Sequence, residues 1–314
     1  MGLRVINPGL ATTVQDQGRP GYREWGVPIA GAFDRGSAAL ANALLANPPA
    51  AAVLEMTLFG GTYEAESPLA LALAGAPMQA SIAEREGRET RLTVPCSFPL
   101  RPGERLIVNA APIGARCYLA VRGGWRTPLV LGSRSSETRL KAGDVLDAEP
   151  GTTRARHLAP DELSGGSVEA IRFIEGPDAE FVRLDALETG TFRVGGRSNR
   201  MGLRLEGDPL DVRPEPERIS TPVAPGALQV AGGQVIVLGI ACGTMGGYPH
   251  VAHVITADLD RLGQLRPGEA VRFRRVTIDE ARRLDRDDRA RRAKRLQGIA
   301  TAVGDGDLNF PEWR

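Results

Sequence analysis

Leu69-Ala70-Leu71-Ala72-Leu73-Ala74 is an unbroken apolar run that ends at Gly75. It is far shorter than the ~18 residues of a membrane span and reads as a buried strand. Runs of the same kind recur on both sides: Arg105 to Asn109, Cys117 to Arg122, Ala170 to Ile174, Gln234 to Gly239, Val251 to Ile255 and Ala270 to Phe273. They are rich in Val, Ile, Phe or Tyr and are bounded by Gly, Pro or Asp, the punctuation of β structure. Arg101-Pro102-Gly103-Glu104 and Arg266-Pro267-Gly268-Glu269 each precede a strand, and Lys141-Ala142-Gly143-Asp144 echoes them. Pro sets one φ and Gly accepts a positive one, which suits a tight reversal. The chain therefore reads as mainly β with a few helices.

The helices are few. Asp34 caps a helix over Arg35 to Ala46, which Asn47-Pro48-Pro49 stops. A second is expected over Pro177 to Leu187, and a short third is capped by Asp258 and ends before Pro267. Thr277 and Glu280 fit a capping box that opens a charged, solvated helix running to about Leu296. The stretch Asp147 to Gly166 mixes Pro, Gly, Ser and charge without periodicity and marks the best domain boundary. The expected organisation is an N-terminal half over 1–150, a C-terminal half over 166–275, and a charged helical tail over 276–314.

Composition narrows the function. Among 314 residues, 39 Lys+Arg against 38 Asp+Glu give a formal net charge of +1. That balance supplies no general field for nucleic acid or for an anionic membrane, and the acids interspersed in the tail argue against a basic arm. Cys96, Cys117 and Cys242 are widely spaced and sit in or beside apolar runs, so they read as small buried hydrophobes and not as a disulfide framework or zinc site. The N-terminus lacks a signal-peptide layout, and a cytoplasmic address is the default expectation. There is no GxxxxGK[ST], no strand–GxGxxG–helix, no GxSxG and no HExxH. The histidines are His157, His250 and His253. Strand alternation puts the last two on opposite faces, so no metal site is expected.

Two polar, glycine-rich stretches carry the candidate chemistry. The first runs from Thr12 through Gln15-Asp16-Gln17-Gly18-Arg19-Pro20-Gly21-Tyr22 to Gly31-Ala32-Phe33-Asp34. Arg19 can hold a carboxylate or phosphate with its guanidinium fork, and Asp16 and Asp34 can orient that Arg, accept a proton or hold a nucleotide's metal. The second is Gly239 to Pro249. Here Gly246 and Gly247 bring backbone N–H groups close to a ligand, Thr244 adds a hydroxyl and Tyr248 an aromatic wall. Arg134, within Gly132 to Ser136, and Arg200, within Ser198 to Gly202, stand among small polar residues and can bind an anion or pair with a structural carboxylate. The expectation is that both glycine-rich loops border one groove together with Arg134 or Arg200.

These stretches together resemble the allophanate hydrolase subunit 2 family, also called the biotin-dependent carboxyltransferase family, which includes the C-subunit of 5-oxoprolinase. The resemblance runs through Gly26-Val27-Pro28, Gly31 to Asp34, Asn47-Pro48, Ala51 to Glu55, Leu73 to Ala76, Tyr118 to Val121 with Gly123-Gly124, Leu131 to Ser135 and Ala142 to Asp144. It continues through Ser198 to Gly202, Pro222 to Gln229, Gly246 to Pro249, Asp258-Leu259 and Leu265 to Gly268, covering about 3–275 in collinear order. The chain departs from the family pattern at Gly243-Thr244-Met245, where many members have Gln-Thr-Thr. It departs again at His250, commonly Lys or Arg, and at Ala74 to Pro77, often Thr-Gly-Ala-Asp. A glycine-rich segment usual between Ser136 and Lys141 is absent.

The resemblance implies two cyclophilin-like β-barrel halves, a smaller partner related to allophanate hydrolase subunit 1, and a third hydrolase subunit. It implies a role in ATP-dependent opening of 5-oxoproline to glutamate, with ATP and Mg2+ acting in the assembled complex. Arg19, Asp34, Arg134 and Arg200 are the expected catalytic residues, and Gln15, Asp16, Thr244, Gly246, Gly247 and Tyr248 the expected substrate- or nucleotide-binding ones. Two alternatives stand beside it: carboxyl transfer to urea or a similar amide from carboxybiotin borne on another protein, and a catalytically silent regulatory role.

Overall fold

A computed structural model describes residues 2–158, 170–212 and 219–304. The expected boundary is thus described only over 147–158; its remainder to Gly166, and the tail beyond 304, lie outside the described residues. The chain divides into two compact units. The first takes the described parts of Met1–Gln17, Arg35–Leu163 and Ala290–Arg314, and the second those of Gly18–Asp34 and Ser164–Arg289. The fold is mainly β, with four α-helices among the described residues: α1 (Arg35–Ala43), α2 (Asp185–Thr189), α3 (Leu259–Leu262) and α4 (Ile278–Gly304). None of them is long and apolar enough to cross a membrane.

The first unit holds two six-stranded antiparallel sheets. One orders Val145–Asp147, Gly2–Asn7, Phe59–Ala65, Arg105–Ala110, Ala80–Ala83 and Glu89–Leu92. The other orders Arg156–His157, Cys96–Leu100, Leu69–Gly75, Arg116–Val121, Val53–Thr57 and Ala11–Gln15. The strand Leu69–Gly75 is central, paired with Cys96–Leu100 on one side and Arg116–Val121 on the other. Side chains alternate along a strand. Leu69, Leu71 and Leu73 enter the core with Leu3, Val5, Tyr63, Phe98 and Leu119. Ala70, Ala72 and Ala74, also fully buried, take the other face, on which α1 packs. Burying each leucine contributes about 1.5–3 kcal/mol. The alanines let the helix lie close.

The second unit is an eight-stranded sheet that nearly closes on itself. Its order is Ala270–Val271, Phe192–Val194, Gly202–Gly207, Gln234–Leu238, Ala227–Ala231, His250–Val254, Ile171–Glu175 and Phe273–Arg275. The two end strands are consecutive in the chain with Arg272 alone between them, and its carbonyl accepts the Ile171 N–H at 2.7 Å. The strand expected over Ala270 to Phe273 is therefore two strands, broken where the chain passes from one end of the sheet to the other. Phe173, Phe192 and Phe273 meet edge to face in the core, with centroids 6.3 and 5.8 Å apart.

The three expected reversals share one geometry. The first residue's carbonyl takes the fourth residue's N–H at 3.0 Å in Arg101–Glu104 and Arg266–Glu269, and at 3.2 Å in Lys141–Asp144. The fourth carboxylate returns to the first N–H at 2.7, 2.9 and 2.8 Å.

The helices depart from expectation in definite ways. α1 ends at Ala43, because Ala46 turns left-handed (φ 57°) and the Asn47 side chain is drawn to the Val121 carbonyl and the Gly123 N–H. Pro177 to Leu187 is not one helix: Val182 is extended and bridges Val212, leaving a 3-10 turn at Ala179–Phe181 and then α2. Asp258 stands at the N-cap of α3 without capping it through its side chain. That carboxylate instead accepts Arg172 Nε and Nη2 at 3.0 and 2.5 Å and pairs with Arg261 Nη1 at 2.9 Å. The box at Thr277 is half formed: Thr277 Oγ1 accepts the Glu280 N–H at 3.2 Å, while the Glu280 carboxylate goes to Arg274. α4 then runs to Gly304, beyond Leu296.

Candidate functional site

Gln15, Asp16 and Arg134 lie in the first unit. Arg19, Asp34, Arg200, Thr244, Gly246, Gly247 and Tyr248 lie in the second.

In the first unit the half-buried Asp16 carboxylate organises the Ser133–Ser136 turn. Ser133 and Ser135 each donate a hydroxyl to Oδ1 at 2.6 Å, and the Arg134 backbone N–H donates to Oδ2 at 2.6 Å. The Asp16 N–H in turn donates to Ser135 Oγ at 2.9 Å. These are the short lengths of charge-assisted bonds. The Arg134 guanidinium donates to the Thr127 carbonyl. The fully buried Gln15 amide donates to Thr13 Oγ1 and the Ser136 carbonyl at 2.9 and 2.8 Å, and its Oε1 has no hydrogen-bond partner among the described residues. Deeper in this unit, the Glu55 carboxylate takes Arg116 Nε at 3.2 Å and the Tyr118 hydroxyl at 2.9 Å.

In the second unit three segments singled out in the sequence converge. The strand Gln234–Leu238 ends at Gly239. Its N–H donates to the Met201 carbonyl at 2.9 Å, and the Ala241 N–H donates to the Arg200 carbonyl at 3.0 Å. A Cβ at Gly239 would stand 2.2 Å from the Arg200 carbonyl oxygen and 3.1 Å from the Phe33 ring, so only glycine admits this approach. The Arg200 guanidinium donates to the Gly31 carbonyl at 2.6 Å, and Gln264 Nε2 donates to Asp34 Oδ2 at 2.7 Å. The Arg19 backbone N–H reaches the Ile29 carbonyl at 2.8 Å, closing the 18–34 loop on itself. Thr221–Pro222 pairs with Met245–Gly246, and the Val223 N–H donates to the Thr244 carbonyl at 3.0 Å. Gln229 Nε2 props the Tyr248 carbonyl at 3.0 Å; a Cβ at Gly246 would stand 2.5 Å from that nitrogen. Tyr248 is exposed.

Several residues that build this region escaped the sequence reading. Arg23, in the same loop as Arg19, donates to the Val223 carbonyl and hydrogen-bonds the buried Cys242 thiol. Burial raises that thiol's pKa, and the Arg23 charge pulls it the other way. Its signal was a cation between Tyr22 and Trp25, whose rings meet at a tilt with centroids 5.5 Å apart. Gln229 lies within the stretch Pro222 to Gln229 that carries the resemblance but was given no role, and Gln264 carried no signal beyond its polarity. His250 and His253 are not on opposite faces: their rings touch, with Nδ1 of His253 3.2 Å from Nε2 of His250. The cause is a bulge. Ala227 faces His253, Leu228 faces Ala252 and Gln229 faces His250, so Val251 is an extra residue and the alternation slips by one. The three cysteines are buried and free, and among the described residues no group of three His, Cys, Asp or Glu could hold a metal.

Comparison with known proteins matches this architecture. The family model described as carboxyltransferase domain, subdomain A and B, matches residues 25–275. The chain is 34% identical over 302 residues to the C-subunit of 5-oxoprolinase from Escherichia coli, covering 91% of this chain and 94% of that one. Urea amidolyase of Lachancea kluyveri is 28% identical over 320 residues, covering 90% of this chain and 17% of that one. The crystal structure of Kluyveromyces lactis urea carboxylase superposes with a TM-score of 0.81 at 25% identity, over 99% of this chain and 30% of that one.

Proposed function

Because the chain belongs to the carboxyltransferase domain family, subdomains A and B, we propose that it is one subunit of an ATP-dependent amide-processing complex that opens 5-oxoproline to glutamate. The observation that carries the reading is the near full-length match to a 5-oxoprolinase C-subunit at 34% identity. The urea amidolyase match is lower, at 28%, and covers a small part of a much longer chain. The partners are a smaller subunit related to allophanate hydrolase subunit 1 and a third hydrolase subunit, working together in the cytoplasm.

5-Oxoproline is a cyclic amide bearing a carboxylate. A cation must hold that carboxylate, and hydrogen-bond donors must meet the charge that grows on the amide oxygen as the ring opens. In the second unit Arg19 and Arg200 are assigned the anionic groups. Thr244, Gly246 and Gly247 are assigned as hydroxyl and backbone donors, Tyr248 as the wall, and Asp34 as the group that orients the cations. Gln15, Asp16 and Arg134 act in the first unit, where Asp16 sets the turn that carries Arg134. ATP would supply activation of the amide oxygen by phosphorylation. Among the described residues no group of three His, Cys, Asp or Glu could hold a magnesium ion, and the Asp16 oxygens and Asp34 Oδ2 accept hydrogen bonds from the chain itself. Nucleotide and metal are therefore assigned to the assembled complex, and no step is drawn through them.

The test is ATP hydrolysis dependent on 5-oxoproline by this chain mixed with its cognate partners; no turnover with folded partners refutes the reading. Carboxyl transfer remains as a second reading because the urea carboxylase superposition covers nearly the whole chain. Lys141 and Lys294, its only lysines, lack the flanking Met of a biotinyl site, so biotin would arrive on another protein. Calorimetry showing no binding of biotin would remove it.

A further inference from the structure

The bulge at Val251 does more than bring two imidazoles together. It sets Nδ1 of His253 3.2 Å from Nε2 of His250, and one of these two nitrogens must supply the proton between them. In the neutral pair one ring donates and the other accepts. One added proton leaves that bond in place. Two imidazolium rings set donor against donor, with two charges at a centroid separation of 5.3 Å. The pair therefore takes one added proton and resists a second.

The surroundings act in both directions. The His250 backbone N–H donates to Asp178 Oδ2 at 2.7 Å, and that carboxylate's charge supports a positive ring. From the other elements packed on this strand, Ala227 and Gln229 face the pair on one side and Ile174 on the other. Glu175, next in line, is paired with Arg275 at 2.9 Å. Burial lowers both rings, His253 the more securely, to about 4, with the neighbouring His250 charge as its second cause.

We propose that His250 and His253 form a single proton-binding unit, a switchable unit charge at the foot of the Gly246–Tyr248 turn that strengthens binding of an anionic ligand there as the pH falls. The part about the ligand rests on the function proposed above; the part about the proton does not. Pro249 joins the turn directly to His250, and Gln229, opposite His250, holds the Tyr248 carbonyl, so the charge and the turn share one support.

The experiment is a histidine nitrogen NMR titration of the full chain from pH 8 to pH 4, followed by 5-oxoproline calorimetry at pH 7.5 and at a pH just below the joint step that the titration finds. The two rings should shift together through one step that takes up one proton per pair, with the second entering only near the acid end. His250→Gln should abolish the joint step. If the rings titrate independently as two ordinary imidazoles, the proposal is overturned. 5-Oxoproline, a carboxylate throughout, should bind about fivefold more tightly at the lower pH, the scale of one unit charge several ångströms away in a wet site, and the gain should vanish in His250→Gln. Equal affinity at both pH values with a joint step overturns the coupling. A joint step with no 5-oxoproline binding at any pH sinks the substrate reading and leaves the proton-binding unit standing.

Discussion

Asp16→Asn separates a carboxylate that builds the site from one that does chemistry. In the native turn Oδ1 accepts two hydroxyls and Oδ2 one backbone N–H, all at 2.6 Å. Asparagine keeps one oxygen, which can still serve Ser133 and Ser135 as a neutral acceptor. Its amide nitrogen then faces the Arg134 N–H, donor against donor. Losing a bond to a charged acceptor costs about 1.5–3 kcal/mol, and demoting two more from charged to neutral costs about 1 kcal/mol each. Because Asp16 is half-buried, water recovers part of this, and about 3 kcal/mol remains. The loss should be local. The Ser136 N–H bonds the Val14 carbonyl at 2.9 Å and the Leu140 N–H bonds the Thr12 carbonyl at 2.9 Å, so both depend on the turn's position. Native-state hydrogen exchange at Ser136 and Leu140 should accelerate about 150-fold, since each 1.4 kcal/mol is a factor of ten. Amides of the Leu69–Gly75 strand should not change. If exchange at Ser136 and Leu140 is unaltered while 5-oxoproline turnover in the assembled complex is lost, Asp16 acts on substrate and the structural reading is wrong.

Arg116→Met removes the Arg116 cation from the fully buried Glu55, which Tyr118 also hydrogen-bonds, and should cost about 3–5 kcal/mol in urea unfolding; adding Glu55→Gln should recover much of that loss. His253 is held at about 4 in the fold against about 6.5 when unfolded, so between those values the unfolded chain binds more protons. Stability should therefore be full above pH 6.5 and fall by about 3 kcal/mol as the pH drops to 4, with the slope reduced in His253→Gln. Gly246→Ala drives a Cβ to 2.5 Å from Gln229 Nε2; circular dichroism should stay native while 5-oxoproline-dependent turnover drops at least about tenfold. The buried cysteines, with Cys96 pushed up to about 12, should resist a disulfide reagent until the chain unfolds.

The strands were legible where one physical rule acts locally. Leu69–Gly75 is apolar on both faces because a leucine core lies on one side and α1 on the other, and the run of small and large residues records both. The Pro-Gly-Glu turns were legible because each is closed by its own fourth residue. Failures came where a partner far along the chain decides. Val182 is extended because it bridges Val212, and Asp258 does not cap because Arg172 and Arg261 claim its carboxylate. Asp16 and Ser133–Ser136 were both visible as polar, but nothing local says that they meet. That the chain would nearly close a barrel through Arg272 alone depends on strand order, which no window of sequence contains.

The second unit's candidate site shows why a local reading finds loops but not their geometry. Gly239, Arg200 and Phe33 are distant in sequence, yet their approach depends on the absence of a single Cβ. A glycine after an apolar strand reads as an ordinary loop entry, and here it is also the point against which Arg200 is set. The histidine pair makes the stronger case. A strand repeats every two residues, so His250 and His253 must diverge unless one residue is added. The added residue is Val251, buried like Ala252 after it, and its apolarity fits the regular strand and the bulged one equally well. Only the register of Ala227–Ala231 against His250–Val254 distinguishes them. That slip of one residue turns two unrelated imidazoles into adjoining ones and brings a titratable charge beneath the turn that carries Gly246 and Tyr248.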